Sequence, residues 1–446
     1  MGPGGSVGSV EIVIMGARFT EADAEAHVHG ICFKTGPPER VGVELEWLVR
    51  DRRDPALPVQ AEQVAATLAG FSHSDDEGYT GQAPPPVRYQ FPSLPSGASL
   101  TVEPGGQLEL SSAPADTLGE LLEVTGSDLA ALRDAAAAAG LELCGYGLDP
   151  LRSPRRLLDL PRYAAMEKFF DREGPWGRQM MCGTASVQVC LDAGDDSQGQ
   201  SGYRSRWRLL HAIGPVLVAA FANSPLRDGK PTGWRSARQQ VWSNMDPGRT
   251  RAPAGQAADG DPRDAWTAYA LDAELMCVRE PESQDWTAPP GVTFRDWLRD
   301  GGSGSLRAPT AEDLDYHLST LFPPVRPHGH LELRMIDAQP GDGWIVPTAV
   351  VTALAGDDRA ADAALAAAEL VWDGSPDAQE PWLRAARCGP SDPRISQASR
   401  QCFEAAGDAL ARSGAPAPIR RAVADFTERY VLKDRCPADD QLDGVQ

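Results

Sequence analysis

The sequence predicts an α+β domain built on a largely antiparallel sheet. Three observations carry this reading. Strand-like runs interleave with helical ones along the chain. Two strand-like runs are joined by a tight Pro-Gly-Gly turn within "TVEPGGQLELSS". Four runs share one period-two pattern, apolar on one face and polar on the other.

The elements follow in order. Residues 1–16 read as a flexible tail, 17–435 as a single domain and 436–446 as a C-terminal tail. A helix is expected over 20–32, then a strand in "RVGVELEWLV". "PVQAEQVAATLAGF" reads as a helix with Pro58 near its start. "SHSDDEGYTGQAPPPV" is a polar, Pro-rich connection leading to the hairpin. "DTLGELLEVTGSDLAALRDAAAAAG" is a long amphipathic helix, with Asp116 placed to cap its start and Gly140 its end. "LELCGYGLDP" returns as a strand. A helix over 162–174 and the strand "TASVQVCLDAG" come next.

"YRSRWRLLHAIGPVLVAAFANSP" reads as one mostly buried helix. Residues 227–251 form a long irregular stretch rich in Arg and Trp, and 251–262 a mobile loop. A short helix and turn fall in 308–327, and "GHLELRMID" is the last strand. From 345 to 432 the chain is Ala-rich and helical.

Composition narrows the function classes. The 446 residues are ample for a sizeable core. Net charge is −21 with no offsetting basic stripe, which argues against nucleic acid or an anionic membrane as partner. The longest apolar run, 212–222, is too short to span a bilayer. Eight scattered cysteines without a CxxC pair read as reduced thiols in a cytoplasmic protein. No GxxxxGK[ST], HExxH or GxSxG motif occurs, so a bound nucleotide would be held through metal ions rather than a P-loop.

The polar strand face holds the chemistry. Val41, Val43, Leu45 and Trp47 oppose Gly42, Glu44 and Glu46; Leu108 and Leu110 oppose Gln107 and Glu109. Val187, Val189 and Leu191 oppose Ser186, Gln188, Cys190 and Asp192; Leu331, Leu333 and Met335 oppose His330, Glu332 and Arg334. A solvated sheet face explains any one strand but not the set, because like charges on neighbouring strands repel. The carboxylates Glu44, Glu46, Glu103, Glu109 and Glu332, together with Gln188 and Arg334, would converge on one site. Such a cluster needs protons or cations, and an all-oxygen set suits a hard divalent ion such as Mg2+. The segment with Arg235, Arg238, Arg249 and Arg251 supplies guanidiniums suited to carboxylate or phosphate.

Five ordered blocks, "VGVELEW", "TVEPGGQLELSS", "MMCGTASVQVCLDAG", "FANSPLRDGKPTGWRSARQQVW" and "HLELRMIDAQP", resemble the plant-type glutamate–cysteine ligases, in particular the actinobacterial branch of ergothioneine biosynthesis. The resemblance implies a glutamine-synthetase-like fold, a curved antiparallel sheet with helices on its outer face. It implies ATP-dependent ligation of the L-glutamate side-chain carboxylate to the amine of L-cysteine through a γ-glutamyl phosphate. Glu44, Glu46, Glu103, Glu109, Gln188 and Glu332 would then hold the metal–nucleotide complex, with more than one Mg2+. Arg334 would stabilise the transferring phosphoryl group, and Arg235 and Arg238 would bind the glutamate carboxylates. A ligase of the same fold with another amine acceptor and a metal-dependent phosphohydrolase remain the alternatives.

Overall fold

The computed structural model describes residues 18–36, 40–69, 71, 94–253, 260–280, 282–301, 306–375 and 377–445. The expected tail at 1–16 and the whole polar connection before the hairpin lie outside these residues, as does 254–259 of the expected loop.

Nine strands are present among the described residues: β1 Val41–Asp51, β2 Ser99–Val102, β3 Leu108–Ser111, β4 Leu141–Cys144, β5 Ser186–Asp192, β6 Leu226–Arg227, β7 Lys230–Pro231, β8 Val325–Pro327 and β9 His330–Asp337. Seven form one sheet in the order β2-β3-β1-β5-β9-β8, with β4 paired to β1. Every pairing is antiparallel. β6 and β7 make a separate hairpin. The fold is therefore the expected α+β arrangement.

The apolar strand faces build the core. Val43, Leu45, Val189, Leu331 and Leu333 are at most 1% exposed, and they join one cluster with the C-terminal helices. The helix Ile345–Gly356 packs on β5, and Asp358–Trp372 and Pro393–Arg412 pack behind it. Burial of these branched side chains, at about 25 cal/mol per Å² of apolar surface, is the main force joining helices to sheet.

β9 departs from simple alternation. Val187 pairs with Ile336, but Val189 pairs with Leu333, so β9 carries one residue more than β5 between these pairs. This bulge switches the parity of the strand. Glu332 pairs with Cys190 before it, and Asp337 pairs with Ser186 after it. Asp337 thus joins the polar face, where strict alternation puts Ile336.

Several helix boundaries correct the expectations. The long helix is Leu118–Ala138, capped by the Thr117 side chain rather than Asp116. Gly140 follows with φ +77°, as its position predicts. The single helix expected from Tyr203 is two, Tyr203–Ala212 and Gly214–Ala220, broken where Pro215 has no N–H to donate. The Arg/Trp-rich stretch is ordered rather than irregular. It holds the β6–β7 hairpin and the helices Ala237–Ser243 and Pro247–Thr250, capped by Ser236 and Asp246. The helices Trp176–Gly183, Pro262–Asp272 and Phe294–Asp300 were not expected.

The expected C-terminal tail is a helix, Pro437–Asp443. Cys436 and Ala438 are fully buried, and the Gln441 side chain donates to Asn223. Small residues packed under a capped turn hold this acidic segment down despite its polar composition.

Candidate active site

The site grows out of strand register. Glu46 stands directly opposite Glu109 across β1–β3, and Glu44 opposite Gln188 across β1–β5. Glu46 accepts hydrogen bonds from Ser186 Oγ at 2.9 Å and Gln188 Nε2 at 3.0 Å. Glu109 accepts from Thr101 Oγ1 at 2.8 Å. Burial, then the charge of Glu109, push the Glu46 carboxyl above the usual range, against the pull of Arg238 and Arg334.

The Pro-Gly-Gly turn brings in the fourth acid. Gly106 donates its N–H to Glu103 O at 2.8 Å and has φ +89°. Gly105 lies so close to the helix Trp176–Gly183 that a Cβ would sit 2.4 Å from Cys182 O. Gln107 locks this approach by donating to Met181 O and Thr184 O at 3.2 and 2.9 Å.

The β8–β9 hairpin provides the opposite wall. Arg326 grips Glu332 with two hydrogen bonds, Nε to Oε2 at 2.7 Å and Nη2 to Oε1 at 3.0 Å. Arg334 Nη1 also donates to Glu332 and to Gln188. Burial opposes ionisation of Glu332, but these two guanidiniums hold its carboxyl far below the usual range.

Arg238 enters from the second position of the helix Ala237–Ser243. It is 1% exposed, lies over the Trp242 ring at 4.5 Å and donates to Arg334 O at 2.8 Å. Its Nε and Nη1 make no hydrogen bond among the described residues.

These groups surround an open cavity of about 170 Å³. Glu44, Glu46, Glu103 and Glu109 line it together with Arg162, Arg238, Arg326 and Arg334. A second wall is apolar, with Met166, Met180, Met181, Trp242, Leu318 and Phe322. Of the expected site residues, Gln188 and Glu332 lie just behind the lining, each tied to Arg334.

Arg235 does not belong to the lining. It immediately precedes the Ser236 cap, and its Nε pairs with Asp439 at 2.9 Å. Arg249 is fully buried and braces Thr320. Sequence reasoning missed Arg326 and Arg162. Arg326 was legible only as the residue facing Glu332 across the tight turn "RPHGHLE", and Arg162 had no distinguishing signal.

Among the described residues, no group of three or more His, Cys, Asp or Glu side chains forms a ready-made metal cage. The donor chemistry nevertheless fits a hard divalent cation. Four carboxylates share one cavity, and Glu46 and Glu109 face each other with the charged form of Glu46 disfavoured.

The glutamate-cysteine ligase family 2 (GCS2) model matches residues 40–444. The chain belongs to this family. It is 38% identical to the glutamate–cysteine ligase EgtA of Mycobacterium tuberculosis, over 96% of this chain and 91% of that protein. Identity to EgtA of Mycolicibacterium smegmatis is also 38%, over 96% and 92%. The chloroplastic glutamate–cysteine ligase of Medicago truncatula is 34% identical over 74% of this chain and 63% of its own length. A solved glutamate–cysteine ligase of Francisella tularensis in complex with AMP shares the fold, with a TM-score of 0.50 at 12% identity over 91% of this chain and 84% of that one. No helix among the described residues is long and apolar enough to cross a membrane.

Proposed function

We propose that the chain joins the side-chain carboxylate of L-glutamate to the amine of L-cysteine, consuming ATP and releasing ADP and phosphate, as a step towards ergothioneine. One observation carries the reading: four carboxylates and four guanidiniums line a single cavity in a member of this ligase family. The reaction brings a carboxylate to a triphosphate, so positioning and charge neutralisation dominate its catalysis.

Glu44, Glu46, Glu103 and Glu109 are the candidate Mg2+ ligands, with Gln188 available behind them once Arg334 turns to substrate; Glu332 would join them only if the Arg326 fork released it as well. Mg2+ held by these residues would supply charge neutralisation for the phosphates. Arg334, which lines the cavity from β9, is the candidate for neutralising the transferring phosphoryl group. Arg238 lines the cavity with Nε and Nη1 outside any hydrogen bond among the described residues, and is the candidate partner for a substrate carboxylate. The γ-carboxylate oxygen attacks the terminal phosphorus and ADP leaves. The cysteine amine then attacks the acyl carbon, loses a proton, and phosphate departs with the shared oxygen. The apolar wall keeps water from the acyl phosphate.

The core cluster runs from Ala24 to Val431, which supports reading the described chain as one catalytic unit. Its free cysteines and its use of ATP favour the cytoplasm.

The test is ADP release by the purified chain with Mg2+, glutamate and a panel of amines. Turnover should require both amino acids and be fastest with cysteine, yielding γ-glutamylcysteine. Fast turnover with another amine and none with cysteine would reassign the acceptor. Full-rate ATP hydrolysis without any amino acid would instead identify a phosphohydrolase.

A further inference from the structure

We infer that the C-terminal helix Pro437–Asp443 is a strap that positions the Arg238 guanidinium in the cavity. The strap grips both ends of the stretch that leads into Arg238. At one end, Ala438 N–H donates to Ala222 O at 2.9 Å. Gln441 Nε2 donates to Asn223 O at 3.0 Å and to Asn223 Oδ1 at 2.6 Å. At the other end, Asp439 Oδ1 holds Arg235 Nε at 2.9 Å, while its Oδ2 accepts the Cys436 N–H that starts the helix. Between these ends lies the β6–β7 hairpin, which is not part of the main sheet.

Asp337 gathers the two gripped ends. It is 2% exposed and accepts from Asn223 N–H at 2.9 Å, Ser224 Oγ at 2.7 Å and Ser236 Oγ at 2.9 Å. Ser224 Oγ in turn accepts the Arg238 N–H at 3.1 Å, and Ser236 Oγ caps the helix through Gln239 N–H at 3.2 Å. Arg238 Nη1 stands 3.9 Å from Asp337 Oδ1. The guanidinium therefore hangs from a buried network whose outer members are strap residues. A side chain with unpaired donors is useful to a substrate only if its backbone is fixed, and the strap supplies that fixing. No strap residue lines the cavity, so its role is positioning.

The strap is itself well anchored. Asp440 accepts from Tyr430 Oη at 2.7 Å and from Arg429 and Arg435 at 2.6 and 3.0 Å. It docks on the preceding helix rather than on the cavity.

The experiment compares the full chain with one ending at Arg435 and with the double variant Asp439→Asn/Gln441→Ala. The kinetic arm rests on the proposed ligase reading. In both altered chains the KM for glutamate should rise at least about tenfold, the equivalent of one charge-assisted hydrogen bond. The KM for ATP should stay within about twofold of the full chain, because a misplaced Arg238 leaves the Mg2+ carboxylates in place. Asp439→Glu, which keeps the charge opposite Arg235, should restore glutamate KM. Amide hydrogen exchange over 236–240 should quicken in both altered chains, and this arm needs no turnover. A folded chain with unchanged glutamate KM and unchanged exchange overturns the strap. So does a uniform rise in every KM with a collapsed melting temperature in the double variant. If the full chain ligates nothing, the functional reading falls, and exchange alone decides the strap.

Discussion

The cavity has two unlike walls. On the β1–β3 side, Glu46 and Glu109 face each other and accept from Ser186, Gln188, Thr101 and Ser111. On the β8–β9 side, Glu332 is enclosed by Arg326 and Arg334. Both walls hold buried acids, yet burial lifts the Glu46 carboxyl while the guanidiniums hold Glu332 down. The lesson is that one wall balances its charge within the chain, and the other leaves its surplus for a ligand to balance. A site that must admit metal and phosphate together needs one of each.

Removing an acid from the surplus wall breaks the contrast most sharply. Glu109→Ala should cut ATP-dependent turnover by more than about 10²-fold if Glu109 is the metal ligand proposed above, since such a ligand matters at least as much as the groups behind it. The metal-free variant should melt no lower than the parent, because Glu46 loses a like charge. Near-parental turnover would take Glu109 out of the metal site.

The balanced wall should respond in the opposite way. Glu332→Gln leaves Arg326 and Arg334 buried without their shared carboxylate. The variant should lose about 3–5 kcal/mol of stability, as one-sided removal of a buried pair does. Denaturant unfolding measures this, and a loss under about 1 kcal/mol would show that the arginines find other partners.

The smallest effect is a slope. Glu46 holds its proton to higher pH in the folded chain than when unfolded. The folded state therefore binds more protons across that window, and metal-free stability falls as pH rises from the ordinary glutamate range to the raised value. Glu332 acts in the reverse sense, contributing stability above the ordinary range that is lost as pH falls. Glu46→Gln should flatten the first slope and leave the second. Identical profiles for variant and parent would show that Glu46 is not the titrating group.

How much of this was legible depends on local geometry. Glu44, Glu46 and Glu109 could be placed on one face because β1 and β3 alternate without interruption. The two arginines in "WRSAR" could not be told apart. Only the Ser236 cap decides that Arg238 turns into the cavity while Arg235 turns to Asp439. Asp337 was hidden by the bulge, since its place on the polar face depends on one unpaired residue that no pattern announces. The C-terminal helix was hidden by composition, as "CPADDQLDG" shows few apolar residues, and its attachment rests on side-chain partners far away in sequence.

The bulge in β9 means that one strand is written in two phases. Arg334, in the first, lines the cavity, with Glu332 paired to it just behind. Asp337, in the second, ties down the architecture that holds Arg238. A strand in a single phase could serve only one of these duties, because losing the extra residue would turn Asp337 into the core and bring Ile336 out to the polar side. The cavity-facing and structural halves of β9 are thus separated by a change of frame, and each half is free to vary in sequence without re-aiming the other.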